Sequence, residues 1–177
     1  MAVSKVSELR NCRFKCVDKR PGFYRWWFKK EAAQSLTKNM DKWLKDNRFL
    51  IQSFDEEEYI ALYFGISKDM RGRIRWHASQ KHSPSAVSKG FLSTLRQTLS
   101  ALLEIQMSKS EEAINQFLDD NCVWEWSYTD TYEDAHQVEL NILATKDHYY
   151  PLNLKDNHTI DKVALDWLKQ QRKEYRR

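Results

Sequence analysis

An arginine and a histidine stand one helical turn apart in the basic run Met70-Arg71-Gly72-Arg73-Ile74-Arg75-Trp76-His77. On a helix, Arg73 and His77 project from the same face. A guanidinium so placed can grip a phosphate through two hydrogen bonds, and an imidazole beside it can hold the phosphate or shuttle a proton near neutral pH. Two tyrosines lie in glycine-flanked aromatic runs: Tyr24 in Gly22-Phe23-Tyr24, and Tyr63 in Tyr63-Phe64-Gly65. Phenols ionise near pH ~10, so a tyrosine acts as a base only where a neighbouring cation lowers that value. Glu139 sits in Ala135-His136-Gln137-Val138-Glu139-Leu140-Asn141-Ile142-Leu143, apolar on its Val138/Ile142 side. A carboxylate among core-facing residues needs a partner; a divalent cation or a salt bridge to Arg73 would each serve. Cleavage of a phosphodiester needs these parts: an activated water, a cation at the phosphate, and stabilisation of the leaving oxygen. Each residue also has an ordinary reading, since tyrosines on strands usually pack with only their hydroxyls at the edge.

Such residues need a scaffold. Residues 22–28 read as an aromatic strand opened by Pro21-Gly22, and residues 58–66 as a second β run. Cys122-Val123-Trp124-Glu125-Trp126-Ser127-Tyr128 alternates as a third strand. Helical spacing appears over 31–48, from Asp69 to Ser79 with Ser67 or Asp69 as N-cap, over about 110–119, over 131–146, and over 159–177. Ser83-Pro84 opens a further helix whose stripe of Val87, Phe91, Leu95, Leu99 and Leu102 reads as core. The order predicts an α+β fold: a small three-stranded antiparallel sheet flanked by helices, with a helical insertion between the first two strands and a C-terminal helix.

A chain of 177 residues suits a single domain, 1–177. Hydrophobic content of 41% with seven tryptophans argues for a packed core rather than disorder. No apolar run approaches the ~18–20 residues that cross a bilayer, and the first residues lack a secretory signal, so a cytoplasmic protein is expected. Cys12, Cys16 and Cys122 make a poor zinc pattern and read as structural thiols. Net charge is only +4, but cations crowd residues 1–30 and 68–96 while acids gather over 104–139. That layout can present a basic face to a polyanion, although charge runs are commonly just solvated faces.

In order, Tyr24, Tyr63, Arg73, His77, Glu139 and Asn153 (in Tyr149-Tyr150-Pro151-Leu152-Asn153) resemble the pattern of the GIY-YIG nuclease superfamily over about 21–154. The resemblance implies a metal-dependent DNA endonuclease that hydrolyses phosphodiesters with one Mg²⁺ or Mn²⁺ ion. It implies that Tyr24 acts as base and Tyr63 orients, that Arg73 and His77 meet the phosphate, that Glu139 holds the metal, and that Asn153 orients a hydroxyl or phosphate oxygen. Arg71, Arg75, Lys81, His82 and Arg96 are the expected nucleic-acid contacts; Arg96, with Ser93 nearby, could instead brace the site. Two departures stand out. Phe23 and Phe64 replace the usual middle residues of the tripeptides, and 39 positions separate the tyrosines (63 − 24), the insertion spanning about 29–57. Specificity would then come from the insertion, the tail, a homodimer or a targeting partner protein. The other reading is a catalytically inactive nucleic-acid-binding module of the same fold, which would keep the basic helix and aromatics for phosphate contacts and stacking.

Overall fold

A computed structural model describes residues 1–45 and 48–176. The end of the expected 31–48 helix, at residues 46 and 47, and the tail residue Arg177 lie outside the described residues.

The strands are β1 (Ala2–Lys5), β2 (Gly22–Lys29), β3 (Ile51–Phe54), β4 (Glu57–Ser67) and β5 (Cys122–Tyr128). They form one antiparallel sheet in the order β1-β5-β2-β4-β3. The fold is α+β as expected, but the sheet has five strands and not three. The three predicted strands are the centre of the sheet. The two added ones are four-residue edges, too short to show alternation and defined only by their partners.

The helices are α1 (Val6–Asn11), α2 (Lys30–Thr37), α3 (Met70–Ser79), α4 (Pro84–Ser88), α5 (Thr94–Leu102), α6 (Glu111–Asn121), α7 (Tyr132–Ala144) and α8 (Lys162–Glu174). The long insertion therefore holds a short helix, a 3₁₀ turn at Lys38–Met40 and the β3 strand of a hairpin, rather than one helix. The stripe that began at Val87 is also broken in two. Gly90, at φ +69°, turns the chain between α4 and α5 in a conformation that costs other residues more. Phe91 consequently points outward, 64% exposed, while Val87, Leu95 and Leu99 are buried. Cys12 and Cys16, expected as structural thiols, are joined as a disulfide, and Cys122 is buried alone.

Both faces of the sheet are covered. On one, Tyr24, Trp26, Phe28, Leu62, Trp124 and Trp126 pack against the apolar sides of α1, α3, α5 and α6. On the other, Trp27, Ala61, Phe64 and Val123 meet Ala135 and Leu143 of α7. Alternation along β4 slips once. Trp26 pairs with Tyr63 but Trp27 with Ala61, so Leu62 is an extra residue and β4 bulges there. Leu62 and Tyr63 then both turn toward the face that carries Tyr24.

Candidate active site

The bulge and the register of β2 against β4 bring the two tyrosines together. Tyr24 pairs with Gly65, and the Tyr24 and Tyr63 rings stack with centroids 6.3 Å apart at 24°. Gly65 has no substitute in this arrangement. A Cβ there would lie 2.5 Å from the Tyr24 hydroxyl oxygen and 2.6 Å from Cζ, so the bare backbone is what lets the Tyr24 ring lie across β4.

Tyr24, Tyr63, Arg73, Glu139 and Asn153 line one cavity of about 290 Å³. They come from β2, β4, α3, α7 and the segment after α7. Two larger clefts, of about 730 and 840 Å³, contain none of them; convergent chemistry, not size, marks this one. His77 lies beneath the cavity with Nε2 2.8 Å from the Tyr24 hydroxyl. Asp69 caps α3 by accepting from the Gly72 amide, which fixes the start of the helix that carries Arg73 and His77.

Burial dominates the electrostatics. It pushes the Tyr24 phenol well up, with Tyr63 adding to the rise and Arg73 opposing it. Tyr63 is raised for the same first reason, with Arg73 pulling the other way. His77 is driven well below the ordinary imidazole range by burial, then by the Arg73 and Arg96 guanidiniums, and is therefore a neutral imidazole near pH 7. Of the two roles expected of it, holding a phosphate or shuttling a proton, a neutral imidazole bonded to Tyr24 suits the second. Arg73 suits the first: it is half-buried, lies over the exposed Trp76 ring at 4.9 Å, and reaches the cavity.

Glu139 is half-buried, and burial raises its carboxyl above the usual range. Among the described residues it makes no ion pair, so the salt bridge to Arg73 is not formed. An unpaired carboxylate facing a polar cavity, with Asp156 also on its wall, fits a hard divalent cation that keeps most of its waters. No group of three His, Cys, Asp or Glu side chains clusters as a metal site among the described residues.

Other expected residues fall elsewhere. Asn153 reaches the cavity wall, and both ends of its amide bond the backbone of β4. Oδ1 accepts from the Phe64 N–H at 2.8 Å and Nδ2 donates to the Phe64 carbonyl at 2.7 Å. It clamps β4 between Tyr63 and Gly65, leaving one N–H and one oxygen lone pair of the amide over. Arg96 is fully buried and is not a nucleic-acid contact. Its guanidinium donates to the carbonyls of His77 (2.9 Å) and Glu111 (3.2 Å), to Asn115 Oδ1 (2.9 Å), and to His82 Nε2 (2.6 Å). His82 is buried with it and likewise cannot meet a polyanion. Ser93 caps α5 by accepting from the Arg96 amide. Arg71 spends its guanidinium on the Val17 and Lys15 carbonyls. Arg75 is exposed, and Lys81 is exposed and paired with Glu111 at 2.9 Å.

The cavity also holds Tyr132 and His136 of α7, two turns and one turn before Glu139, and the two rings stack at 6.5 Å and 7°. Their spacing along the helix, with Glu139 three residues after His136, is the signal in the sequence that could have marked them.

The family model for the GIY-YIG catalytic domain matches residues 22–174. The chain belongs to the GIY-YIG family. GIY-YIG membership implies a nuclease and hence a nucleic-acid substrate. The GIY-YIG match runs past Asn153 and takes in α8. No curated protein and no solved structure matches the chain. Among the described residues no helix is long and apolar enough to cross a membrane.

Proposed function

We propose that the chain is a divalent-metal-dependent DNA endonuclease that hydrolyses phosphodiester bonds with a single Mg²⁺ or Mn²⁺ ion. The observation that carries this reading is the convergence of Tyr24, Tyr63, Arg73 and the unpaired Glu139 on one cavity.

Glu139 would hold the ion, which when bound there supplies positive charge to the phosphate and the leaving oxygen. Arg73 grips the same phosphate from the opposite helix. Tyr24 orients the attacking water and accepts its proton while passing its own to His77 Nε2 across the 2.8 Å hydrogen bond. The relay moves the charge from a phenolate, which burial makes costly, to an imidazolium that burial also opposes, so protonated His77 is short-lived. His77 starts neutral and able to accept. Anionic substrate at Arg73 offsets one of the charges that depress His77, so the imidazole becomes more basic when substrate is present. Tyr63, stacked on Tyr24, keeps the phenol in line.

The test is incubation of the full chain with supercoiled plasmid and with branched DNA, in Mg²⁺ or Mn²⁺, beside Glu139→Ala. Metal-dependent nicking by the parent that the variant lacks supports the reading. DNA bound tightly by both proteins and cut by neither would replace it with the inactive binding module.

A further inference from the structure

Arg172, in the last turn of α8, and Arg176, one turn further along the chain, are half-buried cations that the chemistry above does not use. The Nε of each is enclosed by protein with no hydrogen-bond partner among the described residues. Neither guanidinium joins an ion pair there; the polar contact they make is from Arg176 Nη2 to Gln97 Oε1, at 2.8 Å. Elsewhere the same chain supplies a carboxylate to a half-buried arginine: Glu125 to Arg25 at 3.1 Å, and Asp119 to Arg10 at 2.8 Å. Two neighbouring cations withdrawn from water with no counter-charge destabilise a fold. Burial, and then the charge of Arg176, bring Arg172 down to about 10.

Their position is informative. Arg172 and Tyr63 lie within electrostatic reach of each other, and Tyr63 lines the active cavity. Arg176 packs against Gly90 and bonds Gln97 on α5, whose first residue, Thr94, lines the same cavity. We infer that Arg172 and Arg176 form a second phosphate site, holding a backbone phosphate of the nucleic-acid strand that flanks the one at Arg73. This rests on the nuclease reading for the identity of the strand. A phosphate diester there supplies the missing counter-charge, accepts from both guanidiniums, and fixes the direction in which the strand crosses Tyr63.

The experiment measures binding of a fluorescently labelled oligonucleotide by anisotropy, in EDTA and over a range of salt, for the full chain and for Arg172→Met, Arg172→Lys and Arg176→Met. Removing one phosphate contact should lower the slope of log affinity against log salt by about 0.7–0.9 and weaken binding about tenfold. Arg172→Lys should keep the slope. The melting temperature of Arg172→Met should hold or rise, because an unpaired buried charge is gone. Inorganic phosphate alone provides the second arm. If phosphate raises the melting temperature of the parent but not of Arg172→Met while the oligonucleotide slope is unchanged, the site takes free anions and the strand assignment falls. Unchanged slope and affinity in both Met variants, or a parent that binds no oligonucleotide, also overturns it. No turnover is read, so failure of the nuclease reading shows separately, in the plasmid assay.

Discussion

The Tyr24 hydroxyl and His77 Nε2 are 2.8 Å apart, joined across 53 residues of chain, with Tyr24 on the cavity wall and His77 buried behind it. A buried phenol and a buried neutral imidazole are each poor alone, one as a base and the other as a cation. In the proposed mechanism they act together as a two-step proton acceptor. Tyr24→Phe removes the first step and leaves the ring packing intact, so kcat should fall about 10²–10⁴-fold, with stability lowered by about 1–3 kcal/mol because the buried His77 Nε2 loses its partner. The pH profile carries a second signature. His77 must be neutral to accept, so the acid limb of the free enzyme should lie below the ordinary imidazole value of 6.5, in the direction burial drives it. An acid limb at or above 6.5 in kcat/KM would exclude His77 as the acceptor.

The same burial makes His77 a liability to the fold in acid. Unfolded, it takes a proton near 6.5; folded, it resists to a well lower pH. Between those values the unfolded chain binds more protons, so stability is full above about 6.5 and is lost as pH falls toward the folded value. His82 is depressed too, first by burial and then by Arg96, and adds a loss of the same sign. His77→Gln should therefore show a smaller drop in melting temperature between pH 7.5 and 5.5 than the parent, without abolishing the drop. Equal drops in the two proteins would place His77 in a wetter setting than the structure gives it.

Glu139 has the opposite sign. Its folded carboxyl is raised by burial, so ionising it above that value weakens the fold. Glu139→Gln should melt slightly higher than the parent at pH 7 in EDTA, by a few degrees at most. Mg²⁺ should then raise the melting temperature of the parent in proportion to the logarithm of its concentration and leave the variant unmoved. A variant still stabilised by Mg²⁺ would put the ion on other residues, such as Asp156, the second carboxylate on the cavity wall.

How much of this was legible in the sequence follows from how local each signal is. β2, β4 and β5 announce themselves through runs of aromatic and β-branched residues, whereas Ala2–Lys5 becomes a strand only because β5 accepts it as a partner. The break at Gly90 hid inside a stripe that kept helical spacing across it. The site residues were legible as a pattern of types, but not their environment. Nothing local distinguishes Arg96, buried behind His77, from Arg75, exposed on the same basic stretch. A buried arginine is determined by what surrounds it: here the carbonyls of His77 and Glu111, which the helix ends bring to it. The clamp made by Asn153 was illegible for the same reason, since its partner on β4 is 89 residues away.

Asn153 gives the clearest separation of position from chemistry. Its amide satisfies both backbone groups of Phe64 beyond the point where β3 stops covering the edge of β4. Asn153→Leu, of similar size, leaves a buried N–H and a buried carbonyl without partners, and should cost about 2–4 kcal/mol in urea unfolding. Asn153→Asp tests the geometry more finely. Its carboxylate can still accept from the Phe64 N–H, but its other oxygen faces the Phe64 carbonyl. Protonation restores a donor at that oxygen, so the folded carboxyl should sit above the unfolded one. The variant should then gain stability relative to the parent as pH falls through that raised value, the reverse of the His77 effect. Nuclease activity should follow the recovered fold, because the clamp sets the placement of Tyr63 and Gly65 and not the reaction itself. Loss of activity in Asn153→Asp at a pH where its stability matches the parent would instead assign the amide a direct contact with substrate.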